Sequence, residues 1–143
     1  MAITQALCSS FKLEMLKGEV DFSADTSKVY KIALYTSSAN LDAATTTYTT
    51  TGEASGTGYT AGGNTLTVIS PVLSGTTAFV DFANTTWSTT TITARGALIY
   101  ELNGSTNPAV AVLNFGENKT STSGNFEIQF PAADATNAIV RVV

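Results

Sequence analysis

The side chains that could carry out chemistry in this sequence are few. It contains no histidine and a single cysteine, Cys8. A Ser-His-Asp triad, a Cys-His pair, a histidine metal site, an intrachain disulfide and a paired-cysteine zinc site are therefore excluded. The 11 Asp and Glu residues could still pair for glycoside hydrolysis, but no spacing singles out one pair. The residues therefore predict no catalytic residue, cofactor or metal ligand, and composition alone does not state what the protein does.

Two glycine-containing motifs resemble phosphate-binding loops without meeting their requirements. Residues 56–61 spell the GxGxxA form of a dinucleotide fingerprint, which needs a strand before it and a helix after it. Strand-like residues follow instead, so a turn-rich loop is predicted there. Residues 116–120 end in the Lys-Thr of a phosphate loop but lack a glycine directly before the lysine. They are interpreted as a hairpin turn.

Three aromatic residues stand in the most polar surroundings of the sequence. They are Tyr48, Tyr59 and Trp87, and side chains of this type serve both sugar sites and protein interfaces. We predict that they contact another molecule. The alternative for Trp87 is a structural role, in which the indole plugs the edge of a sandwich.

Composition favours a single β domain and disfavours several partners. The 143 residues include 25 Thr and 13 Ser but only 13% charged residues, and threonine suits the solvent face of a strand. The formal charge of -4 has the wrong sign for nucleic acid, whose phosphates require Lys and Arg. No apolar window is long enough to span a membrane, and residues 1–8 lack the basic residues of a signal peptide.

The amino-terminal residues show the one convincing helical pattern. Ile3, Leu7, Phe11 and Met15 recur every four residues and predict a helix over residues 4–17. Thr4 would cap its start, and glycine 18 would take the left-handed position after its end. We predict an amino-terminal helix or arm over residues 1–20 and a β-sandwich domain over residues 21–143. The helix covers one end of the core or docks on a partner.

Short strand patterns separated by turn residues fill the rest of the chain, at spacings typical of a sandwich or barrel. The predicted strands are residues 29–35, 65–69, 78–82, 90–93, 94–102, 109–115, 125–130 and 138–142. Alternation places Phe126, Ile128 and Phe130 on the core face, and residues 109–113 are apolar on both faces. Residues 36–64, which we call the 36–64 segment, form a long excursion that is functional, mobile or conceals short strands.

Several runs spread from Ile32 to the carboxyl terminus resemble a recurring small virion protein of tailed bacteriophages. The runs are IALYTSS at 32–38, YTTTGE at 48–53, SGTGYTAGG at 55–63, Trp87, ITARGALIY at 92–100 and FPAADA at 130–135. The resemblance implies a capsid decoration or cement protein, built as an all-β, jelly-roll-like antiparallel sandwich with a short amino-terminal helix. It assigns no role to any individual residue.

The resemblance implies a location on the exterior of the capsid, after residence in the host cytoplasm before lysis. The expected partners are the major capsid protein and a second copy of the chain, with a dimer favoured because two linked copies bind a lattice more tightly. The dimer would use the 36–64 segment and the region of Trp87. A tail or fibre component, and a carbohydrate-binding module or small hydrolase, remain as alternatives. A flat apolar surface would favour the cement role, and a concave aromatic groove would favour sugar binding.

Overall fold

A computed structural model describes residues 2–143 and places about half of the chain in antiparallel sheets. The elements in chain order are β1 (Ala6–Leu7), α1 (Ser9–Lys17), β2 (Val29–Tyr35), β3 (Asn64–Thr65), β4 (Val68–Ser74), β5 (Thr77–Phe82), β6 (Thr85–Leu102), β7 (Ala109–Ile128) and β8 (Val140–Val142). A five-stranded sheet has the order β1-β7-β6-β2-β3, and a three-stranded sheet has the order β4-β5-β8. The expected all-β class is confirmed.

One long hairpin, formed by β6 and β7, dominates the larger sheet. The sequence predicts two strands in each of its arms, at residues 90–93 and 94–102 and at residues 109–115 and 125–130, whereas each arm is one continuous strand. The predicted hairpin turn at residues 116–120 is wrong, because that stretch is a bulge within β7. Ala94 pairs with Lys119 and Gly96 with Asn114, so two steps along β6 match five along β7. Gly116, at a φ of 82°, supplies the left-handed conformation that such a bulge uses.

The amino-terminal helix is shorter than its pattern predicts, because its first residues pair with distant strands. Ala6 and Leu7 pair antiparallel with β7, and the backbone N–H of Thr4 donates to the carbonyl of Leu41 at 2.8 Å. Thr4 therefore caps no helix. Gly18 does end the helix in the left-handed conformation, as expected. Phe11 is fully buried, so this segment packs on the core of the chain.

The other predicted strands differ in how closely they match. β2 has the predicted bounds, while the expected strand at residues 65–69 is divided between β3 and β4. Phe126 and Ile128 are buried, as their alternation predicts, whereas Phe130 lies beyond the end of β7 and is half-buried. The four residues that begin β7 are all buried, so both faces of this central strand are covered.

A single aromatic residue, Phe22, joins the helix and both sheets in one core. Its ring centroid lies 6.1 Å from that of Phe11 in α1, 4.5 Å from that of Tyr30 in β2 and 6.1 Å from that of Phe82 in β5. The two sheets therefore cover a common apolar interior, to which the large buried side chains of each contribute.

Alanine substitutions at two glycines with left-handed backbone conformation can show how closely the 36–64 segment approaches β2. A Cβ atom on Gly63 would lie 1.8 Å from the carbonyl oxygen of Ile32, whereas one on Gly75, in the β4–β5 turn, would meet nothing within 4 Å. Both have positive φ, so alanine at Gly75 should cost about 1 kcal/mol from backbone strain alone. Gly63→Ala should cost about 3 kcal/mol or more, because displacement of β2 adds to the strain.

Urea unfolding of the two variants measures this difference. Equal losses of unfolding free energy for Gly63→Ala and Gly75→Ala would contradict the close packing of the 36–64 segment on β2.

Candidate functional site

The carboxylate of Glu53 binds three donors from the 36–64 segment. Its Oε1 accepts hydrogen bonds from the Tyr59 hydroxyl and the Gly62 N–H, each at 2.7 Å, and its Oε2 accepts one from the Tyr48 hydroxyl at 2.6 Å. Hydrogen bonds to a charged acceptor are about twice as strong as neutral ones. We call Glu53, Tyr48, Tyr59, Gly62 and Tyr100 the Glu53 cluster.

The same tyrosines attach the 36–64 segment to the larger sheet. The Tyr59 hydroxyl accepts a hydrogen bond from the N–H of Leu34 in β2 at 2.9 Å, and the Tyr100 hydroxyl donates to the carbonyl of Gly62 at 2.7 Å. The Tyr48 ring stacks on the Tyr100 ring, with centroids 4.7 Å apart. A long connection with little regular structure is therefore held down at several points along its length.

Burial, reinforced by the Glu53 carboxylate, determines the protonation of these tyrosines. Burial first, and then Glu53, raise the pKa of Tyr48 and Tyr59 above the ordinary phenol value, and the pKa of Tyr100 rises to about 12 for the same two reasons. All three hydroxyls therefore remain protonated donors at neutral pH. The two tyrosine hydroxyls and the Gly62 N–H together occupy both oxygens of the Glu53 carboxylate. The cluster therefore fixes the backbone of the 36–64 segment.

The structure places the three aromatic residues predicted to contact another molecule next to or within this cluster. Tyr48 and Tyr59 are half-buried and donate to Glu53. Trp87 is 4% exposed, and its ring centroid lies 6.0 Å from that of Tyr59 and 6.2 Å from that of Phe126. The packing of Trp87 matches the alternative structural role. Contact of these three residues with another molecule stays a prediction.

A groove along the concave side of β7 was not anticipated from the sequence. It has a volume of about 550 Å³, and we call it the β7 groove. Its apolar lining is Leu113, Phe115, Phe126, Ile128, Phe130 and Ile139, and its polar rim includes Gln5, Asn114, Lys119, Asn125, Glu127 and Gln129. The bulge in β7 makes the groove possible, since it brings the Phe115 and Phe126 ring centroids to 6.3 Å. Only the alternation at Phe126–Phe130 signals it in the sequence.

The three-stranded sheet carries an exposed row of apolar side chains. Leu73, Ala78 and Val142 lie opposite one another on β4, β5 and β8, so their side chains share one face. Val80 and Val140, two residues along the same face, are buried. The core-facing side of this sheet thus continues past the core, where Leu73 is 72% and Val142 55% exposed. We call these three residues the apolar row.

Two reactive groups outside these surfaces are buried. Burial raises the pKa of the Cys8 thiol to about 11, so it stays protonated at neutral pH. Asp81 in β5 is completely buried, and its Oδ1 accepts the N–H of Phe82 at 2.8 Å, while its Oδ2 has no hydrogen-bond partner among residues 2–143. Burial raises the pKa of Asp81, against the opposing effect of the Phe82 N–H.

Loss of the Glu53 carboxylate should destabilise the fold more than loss of an exposed carboxylate. Glu53→Ala leaves two tyrosine hydroxyls and the Gly62 N–H without their acceptor, which should cost about 3 kcal/mol or more. Glu117→Ala, at an exposed position, should cost less than about 0.5 kcal/mol. Denaturant unfolding measures both, and hydrogen exchange should show the extra opening within residues 36–64. Similar small losses in the two variants would contradict a stabilising role for the cluster.

Asp81 predicts a distinctive dependence of stability on pH. Because its pKa is raised in the folded protein, the unfolded chain releases this proton first, and stability falls as pH rises from about 4 through the folded pKa. Asp81→Asn should therefore gain stability relative to the unchanged protein over this interval.

Asp21→Asn is the control, because hydrogen bonds from Ser23 lower the pKa of Asp21. It should lose stability relative to the unchanged protein as pH rises, within the interval below about pH 4. Thermal unfolding between acid and neutral pH tests both signs. A constant difference between Asp81→Asn and the unchanged protein would contradict the raised pKa.

The chain matches no protein-family model, no curated protein and no solved structure. Among residues 2–143, no three His, Cys, Asp or Glu side chains are grouped closely enough to hold a metal ion. Within the same residues, no helix is long and apolar enough to cross a membrane.

Proposed function

We propose that the protein is a non-enzymatic decoration or cement protein of a tailed bacteriophage, which binds the outer surface of the head and stabilises contacts between major capsid subunits. The observation that carries this proposal is the apolar row. Three apolar side chains on hydrogen-bonded strands form an exposed surface, and such surfaces are typical of protein contacts. The resemblance of the runs between Ile32 and the carboxyl terminus to small virion proteins supports the same role.

The 36–64 segment, held in place by the Glu53 cluster, also supports a binding role without catalysis. The Glu53 cluster fixes this segment before any partner arrives, so little conformational entropy is lost when it is covered. Its exposed side chains are mainly hydroxyls, with no lysine or arginine between residues 36 and 64. A partner can therefore cover it without burying unpaired positive charge.

The finer assignments belong to the same proposal. A jelly-roll-like sandwich is supported by two antiparallel sheets that cover one core around Phe22. The protein resides in the host cytoplasm before lysis and on the capsid exterior afterwards. It acts as a homo-oligomer, with a dimer favoured, since paired copies match the two-fold axes of an icosahedral shell. Tail or fibre attachment is the alternative location.

Two matched leucine substitutions test the role of the apolar row in binding. Leu73 lies in the row and is 72% exposed, whereas Leu16 lies on α1 and is 89% exposed, so aspartate at either position should leave the fold intact. Leu73→Asp should weaken binding to phage heads that lack the protein by about tenfold or more, because it places a charge in an apolar contact. Leu16→Asp should bind like the unchanged protein.

The same heads test the cement role by their resistance to heat and osmotic shock. Heads carrying the protein should burst at a higher temperature than bare heads, because a ligand of the assembled lattice stabilises it. Equal robustness would refute the cement role, and equal binding by Leu73→Asp and the unchanged protein would refute the apolar row as the contact.

The β7 groove favours a second candidate, a carbohydrate-binding module. Oligosaccharide binding that is lost in Phe115→Ala, with no binding to heads, would replace the proposal.

A further inference from the structure

The β7 groove lies beside a strand edge that has no neighbouring strand in the described part of the chain. On one side of β7, Phe126, Glu127 and Ile128 pair with Trp87, Thr86 and Thr85 of β6. On the other side, β1 pairs only with Val112 and Ala111. The backbone of residues 125–128 therefore presents its outward N–H and C=O groups to the groove, where no strand within residues 2–143 pairs with them.

The side chain of Gln5 marks the point at which β1 stops covering this edge. Its Oε1 accepts the N–H of Asn114 at 3.2 Å, and the Asn114 Nδ2 donates to the carbonyl of Ile3 at 3.0 Å. Gln5 and Asn114 also line the β7 groove. The groove thus begins where the pairing of β1 ends, so a strand lying in it would continue the line of β1 along the same edge.

The lining of the groove suits the side chains of an extended peptide better than a compact ligand. Phe115 and Phe130 are half-buried in the groove wall, and a strand directs every second side chain to the same face. Alternating apolar side chains would meet these rings while the backbone pairs with β7. This combination of main-chain pairing and side-chain pockets is the recognition mode known as strand addition.

Charge disfavours a second copy of the chain as the occupant. If two β7 edges pair around a two-fold axis with Phe126 opposite Ile128, the two Glu127 carboxylates stand directly opposite each other. A slip of one residue removes this repulsion but places Phe126 opposite Glu127. Each copy also carries a formal charge of -4. The edge therefore fits a different chain, with a basic side chain facing Glu127.

We propose that the β7 groove and the free edge at residues 125–128 bind an extended arm of a capsid subunit, with apolar side chains at alternate positions and a Lys or Arg facing Glu127. This inference rests on the proposed function and extends it. A cement protein that bridges neighbouring subunits needs two separate contacts. The apolar row provides one on the three-stranded sheet, and the β7 groove provides the other on the five-stranded sheet.

The experiment uses the full-length protein and phage heads that lack it. Hydrogen exchange is measured on the free and head-bound protein, and bound protein should show slowed exchange at residues 125–128. Glu127→Arg should weaken binding to the heads by about tenfold or more, since it sets like charges against each other. Asp25→Arg, at an exposed position outside the groove, reverses a charge in the same way and should bind within about twofold of the unchanged protein.

The outcomes separate this inference from the proposed function. Binding to heads without added protection at residues 125–128, or equal binding by the two arginine variants, would overturn the inference and leave the cement role standing. A lack of binding to heads would overturn both. Protection at residues 125–128 that appears in the free protein as its concentration rises, together with a dimer mass in light scattering, would assign the edge to a second copy and overturn the inference.

Discussion

The hydrogen bonds to Glu53 are the interaction on which the surface of this protein depends. The 28-residue connection between the neighbouring strands β2 and β3 would ordinarily retain much of its conformational freedom. Here the Glu53 carboxylate accepts hydrogen bonds from two tyrosine hydroxyls and a backbone N–H. One of these hydroxyls, that of Tyr59, also accepts a hydrogen bond from the N–H of Leu34 in β2. The polar groups of the cluster satisfy one another, so their partial burial carries no large desolvation penalty. The connection becomes a fixed layer over the sheet.

Bulges in the long β6–β7 hairpin give the larger sheet a concave side. A regular pairing of β6 with β7 would form a twisted ribbon with both arms in step. The extra residues of β7 between Asn114 and Lys119 bend the strand and bring Phe115 towards Phe126. The same bend separates the end of β7 from β1, which covers only the first part of the edge. A groove and an unpaired backbone therefore arise from one irregularity.

The smaller sheet contributes to the core at one end and to the surface at the other. Phe82 packs against Phe22 and Phe130, so this end of β5 is held in the common interior. Towards the β4–β5 turn, the same face of the sheet carries Leu73, whose side chain is largely exposed. An apolar face that continues beyond its core is stable only because its strands are already hydrogen-bonded to one another.

Local spacing in the sequence was sufficient to predict the β class, the bounds of β2 and the glycine end of α1. Each of these depends on residues within a few positions of one another: threonine-rich alternation, a short apolar run, or a left-handed glycine after a helix. The start of α1, the bulge at Gly116 and the partners of Glu53 were not predictable in this way. Ala6 leaves the helical pattern because Val112, far along the chain, offers a strand edge, and pairing with that edge outweighs a weak local propensity. Tertiary contacts therefore decided where the chain bends and which side chains it buries, because those choices depend on residues that only folding brings together.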